Sequence, residues 1–130
     1  MRDYEMMRTI LITCFNEGEN LCLKNFVSAT SSNFKKKQLV FREEVNRLQN
    51  EGLLLHNMKW QIDTHTGGAV KGLTPKGIEF ARLLNDTKVW IICQETLNNA
   101  GLDISYPLIK KVCEQIVEKI VMSCIPEEYK

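Results

Sequence analysis

A chain of 130 residues, 44% apolar and 25% charged, is one domain by length and has an ordinary globular composition. Its formal charge of +1 lacks the strong basic excess of an obvious nucleic-acid binder, and no apolar run approaches the roughly 20 residues that span a bilayer, so no membrane association is expected. Asp3 and Glu5 stand where a signal peptide needs its apolar stretch, which points to a cytoplasmic protein.

Asp3 is suited to cap a first helix over about residues 4–15, in which Met7, Ile10, Leu11 and Cys14 keep the spacing of one buried stripe. Gly18 suits the left-handed position that ends it. Leu21 to Val27 alternates loosely, with Leu21, Leu23 and Phe26 as inward candidates; a short strand is favoured over a stunted helix. Ser28 to Asn33 is a polar loop offering Ser32 or Asn33 as the next cap. The helix that follows, about Lys35 to Asn50 and roughly 24 Å long, buries Phe41, Val45 and Leu48. It turns Lys36, Glu43, Asn46, Arg47 and Asn50 outward, and Leu39 falls on that outer side too, where it needs a cover.

Gly52 ends that helix, and a ribbon runs over about 53–62 and 69–73. Its tip is read at Thr64-His65-Thr66-Gly67-Gly68, because two glycines accept the positive φ angles of a tight hairpin. Thr74 and Pro75 open the next helix, with Ile78, Phe80, Ala81 and Leu84 inward. Asp86 or Thr87 caps a helix to about Asn99 that buries Val89, Trp90, Cys93 and Leu97. Ser105 and Pro107 start the last helix, whose doublets Leu108-Ile109, Val112-Cys113, Ile116-Val117 and Ile120-Val121 recur every four residues. That period drifts about 40° per repeat against a 3.6-residue turn, so the stripe sweeps round as a broad face. The expected fold class is α+β: a winged helix-turn-helix-like core over residues 1–85, its wing a β-hairpin, with two additional C-terminal helices over residues 86–130 packed on the core.

Three stretches also resemble a known family. They are Arg2-Asp3 with Met6-Met7-Arg8 and Ile10-Leu11; Asn50-Glu51-Gly52-Leu53-Leu54; and Leu73-Thr74-x-x-Gly77-x-Glu79-Phe80 with Asp86 and Val89-Trp90. In this order they are similar to a family of small winged-helix proteins of unknown function from bacterial and prophage genomes. The likeness extends over most of the chain. It departs at Ile78, where relatives often carry a histidine, and over Asn20 to Asn33. The resemblance implies a winged-helix fold with appended C-terminal helices and implies no biochemical activity.

Candidate functional residues follow from the outer face of the central helix and from the ribbon. Between Phe34 and Asn50 five basic residues stand against two acids, a local charge of +3, whereas the chain from Asp86 onward carries −2. Lys35, Lys36, Lys37, Arg42 and Arg47 are candidates for double-stranded DNA, with Asn46, Arg47, Gln49 and Asn50 of the types that address base edges. Lys59, His65 and Lys71 are candidate wing contacts to phosphate, His65 as a surface residue of the tip. Glu43 and Glu44 oppose this reading, and the bland alternative is the solvated side of an amphipathic helix.

Leu39, Leu108, Val112, Ile116 and Ile120 are candidates for a homodimer or protein-partner contact, the basis of a competing adaptor reading. No phosphate loop, nucleophile motif or metal-ligand spacing marks an enzyme, a cofactor or a metal site. Asp63, Thr64, His65 and Thr66 are polar residues of one turn without a pocket. Cys14, Cys22, Cys93, Cys113 and Cys124 are odd in number and lack knuckle spacing, as for reduced thiols of a cytosolic protein.

Overall fold

The computed structural model describes residues 2–62 and 64–129, so Asp63 lies outside the described residues. Among these the chain is α+β, with five α-helices and short antiparallel strand pairs. It divides into two compact units, Arg2–Arg82 and Leu83–Lys130.

In the first unit α1 spans Tyr4–Glu17, and the Asp3 carboxylate caps it by accepting the Met6 amide at 2.9 Å. The i, i+3, i+4, i+7 stripe holds: Met7, Ile10, Leu11 and Cys14 are all buried. Gly18 ends the helix with φ +96°, a backbone region open to glycine. Helix α2, Phe34–Asn50, packs on α1 and buries Phe41, Val45 and Leu48 completely. Each such side chain contributes about 1.5–3 kcal/mol, so this seam fixes the face that α2 turns inward.

Residues 21–27 do not form the expected strand. Leu21 makes one two-way bridge to Val70, and Leu23–Asn25 winds into a 3-10 turn. The Asn25 side chain accepts from both the amide and the thiol of Cys22, which folds the backbone back before a ladder can extend. Leu21, Leu23 and Val27 are buried, whereas Phe26 is half-buried against the Phe41 ring at 5.0 Å.

The ribbon also departs from expectation. It consists of β1 (Leu54–His56), β2 (Lys59–Gln61), β3 (Thr64–Gly67) and β4 (Val70–Leu73), with β1 paired to β4 and β2 to β3. Gln61 pairs with Thr64, so the chain reverses between these two residues and not at Thr66-Gly67-Gly68. Ile62 there takes φ +55°, uncommon for a β-branched residue. Gly68, at φ +77°, serves a different need. A Cβ on it would lie 2.1 Å from the Asn57 carbonyl oxygen, so glycine permits a close crossing where the two pairs meet.

Helix α3, Pro75–Asn85, follows directly. The Thr74 hydroxyl donates to the Gly52 carbonyl at 2.6 Å and accepts from the Gly77 amide at 3.1 Å. Phe80, Ala81 and Leu84 are buried and Ile78 half-buried. In the second unit α4, Thr87–Ala100, is capped by Asp86 and buries Val89, Trp90, Cys93 and Leu97. Gly101 closes it in the left-handed conformation, and α5, Tyr106–Ser123, packs against α4.

Candidate nucleic-acid interface

The outward side of α2 is set by what occupies its other sides. Glu44 lies three residues after Phe41 and four before Leu48, which places it on the buried seam. It is 4% exposed, and Arg2, 6% exposed, reaches it with Nε at 2.9 Å and Nη2 at 2.6 Å. The same guanidinium grips Glu51 through Nη1 at 2.9 Å and Nη2 at 2.6 Å, a two-pronged pairing. Burial pushes the Glu44 carboxyl up to about 7 against the opposing pull of Arg2. Burial works against the Arg2 charge, and the bonds to Glu51 and Glu44 outweigh it and hold Arg2 above its ordinary value. Glu44 therefore does not oppose an anion on the outer face. Glu43 does; it is exposed.

A second side of α2 is taken by the ribbon. Arg42 donates from Nη1 to the Ile62 carbonyl at 2.9 Å, and its guanidinium carbon stands 5.4 Å from the Trp60 ring centroid. Trp60 also meets Phe41 at 6.4 Å and, edge to face, His65 at 5.4 Å. Gln49 Oε1 accepts the His56 amide at 2.7 Å, and Asn46 Oδ1 lies 2.8 Å from His56 Nε2. His56 Nδ1 accepts the Met58 amide at 3.1 Å, which fixes the proton of the neutral ring on Nε2. Burial holds the His56 pKa below its ordinary value, and a proton on Nδ1 would also break the Met58 bond.

The sequence candidates thus separate. Lys35, Lys36, Lys37 and Asn50 are exposed on α2, and Lys59 and Lys71 are exposed on the ribbon. Arg47 is half-buried. Arg42 and Asn46, with Gln49, bind the ribbon to the helix. His65 is no tip residue: it is half-buried in β3 against Trp60, because the chain reverses before it. Of the contact candidates Leu39 and Leu108 are exposed, Val112 and Ile120 half-buried, and Ile116 buried.

Leu39 and Ile62 flank an open groove of about 700 Å³ between α2 and the outer strand pair, lined also by Lys35, Thr64 and Thr66. Asp3 and Glu5 share a smaller cavity with Lys36 and Lys37, which tempers the positive potential there. Sequence reasoning missed the Arg2–Glu44–Glu51 cluster, although an acid inside the apolar arc of a helical wheel already demanded a cation. Among the described residues no helix is long and apolar enough to cross a membrane, and no group of three metal-ligating side chains converges. The chain matches no family model, no curated protein and no solved structure.

Proposed function

We propose that the chain is a winged-helix DNA-binding protein, a small transcriptional regulator of prophage type acting as a homodimer. In this reading α2 enters the major groove and the β2–β3 pair is the wing. The order α1, a bridging residue beside β4, a single short turn, α2, ribbon and α3 supports the winged-helix reading. The observation that carries the reading is the withdrawal of Glu44 to Arg2, which leaves Lys35, Lys36 and Lys37 exposed on α2 with Glu43 as the exposed acid of that helix. Lys35, Lys36 and Lys37 stand in the first turn, with no acid there and no side-chain cap from Asn33. Cations at a helix N-terminus oppose the helix dipole by a few tenths of a kcal/mol each, a local cost that contact with phosphates would reverse.

Binding of the full chain to labelled duplex DNA across a salt series tests this. Four phosphate contacts give a log–log slope of about −3.6, and changing Lys35, Lys36 and Lys37 to alanine reduces it by about 2–3. No binding at low salt, or a slope the triple variant leaves unchanged, overturns the proposal. A protein-binding adaptor is the second reading. It is favoured by exposed Leu39 and Ile62 on the two walls of the groove and by the use of Arg42 and Asn46 within the fold.

A further inference from the structure

Helices α4 and α5 belong to one unit and pack on each other, and each gives one cysteine to that contact. Cys93 and Cys113 are both fully buried. The Cys113 thiol donates to the Cys93 sulfur at 3.5 Å. One turn to either side stand buried Trp90 and Leu97 on α4, and Ile109 and Ile116 on α5. A disulfide needs sulfurs about 2.05 Å apart, so the two thiols must approach each other further to bond.

The other three thiols are placed differently. Cys14 is buried and pushed up to about 12 by burial and by Glu17, and Cys22 and Cys124 lie toward the surface. Within the pair, the hydrogen bond from Cys113 lowers the Cys93 pKa, while that bond and burial raise Cys113.

We infer that Cys93 and Cys113 are a reversible disulfide site that takes hydrogen peroxide as its oxidant and locks α4 to α5. The Cys93 thiolate attacks one peroxide oxygen and the O–O bond breaks. This gives a sulfenic acid and a hydroxide, which takes the proton Cys93 released and leaves as water. The Cys113 sulfur then attacks the Cys93 sulfur, the S–O bond breaks, and the Cys113 proton leaves with the departing hydroxide as a second water. Two thiols lose two electrons and two protons, and one peroxide becomes two waters. This inference stands apart from the DNA-binding reading and uses none of its residues.

The test treats the full-length chain carrying Cys22→Ser and Cys124→Ser with hydrogen peroxide and follows intact mass, tryptic peptides and Tm. Trypsin separates the two cysteines into Val89–Lys110 and Val112–Lys119. The expected result is a mass loss of about 2 Da, those two peptides joined, and a Tm raised by roughly 5–10 °C, all reversed by dithiothreitol. Cys113→Ser in the same background leaves a sulfenic acid on Cys93 and no joined peptide. Mapping of the parent chain decides the matter even where that variant folds poorly. No mass change, a gain of about 32–48 Da without a link, or a link that involves Cys14 overturns the inference.

Discussion

Replacing Arg2 with alanine has an effect whose size depends on pH, and the dependence follows from the buried cluster. In the native protein one guanidinium serves both Glu44 and Glu51. Without it the burial of Glu44 meets only the weaker pull of Arg47, and its carboxyl climbs further above about 7. A carboxyl whose folded pKa exceeds its unfolded value contributes stability that is complete below the unfolded pKa and is lost as pH rises through the folded one. Native and variant proteins lose it in parallel from about 4.5 to about 7. Above that the native loss stops, because the carboxylate ionises beside Arg2, whereas the variant continues to lose about 1.4 kcal/mol per pH unit.

The expected penalty is therefore about 1–2 kcal/mol near pH 5.5, from lost hydrogen bonds and packing. Near pH 8.5 it grows to about 3–5 kcal/mol, the usual cost of stranding a buried partner. Urea unfolding followed by circular dichroism at both pH values measures the difference. A penalty under about 1 kcal/mol at the higher pH, or an equal penalty at both, would refute the assignment of Arg2 as the counter-charge.

Gly77→Ala is expected to cost about 2–4 kcal/mol in the same assay, because its Cβ would sit 1.9 Å from the Leu53 carbonyl oxygen; a cost near zero would mean that α3 slides freely past β1. His56 is expected to titrate by NMR below the ordinary histidine range, and its contribution is present above pH 6.5 and lost on acidification, when protonation breaks the Met58 bond. A midpoint at or above 6.5 contradicts the geometry. Arg42→Ala releases the Ile62 carbonyl and the Trp60 face, so amide exchange across residues 59–67 accelerates while the exchange of α1 amides stays unchanged. Uniform acceleration throughout the first unit, or none in the ribbon, contradicts that local role.

The helices were legible because their signals are local. Asp3 and Asp86 cap where a short acidic side chain precedes an apolar stripe, and both do so through the amide three residues on. The ribbon was not, because a glycine pair has two physical uses. Positive φ serves a reversal, and the missing Cβ serves a close crossing; Gly68 needs both for its contact with Asn57, while Ile62 takes the reversal. Segment 21–27 misled because the Cys22–Asn25 bonds are side-chain bonds that a hydropathy pattern does not register.

In the candidate interface the exposure of Lys35, Lys36 and Lys37 followed from a run of three charges at a helix start. The occupation of Arg42 and Asn46 did not, since their partners Ile62 and His56 are brought back only by the fold.

The break in the ribbon separates two jobs along its length. β1 and β4 supply Leu54 and Val70 to the core, whereas no residue of β2 or β3 is fully buried. A residue added to each of β2 and β3 beyond the Trp60–His65 rung, which packs on Phe41, moves no rung of the inner pair. The inner pair thus acts as a socket and the outer pair as an interchangeable blade. Over evolutionary time the blade can lengthen two residues at a time, altering reach while the packing beneath it stays as it is.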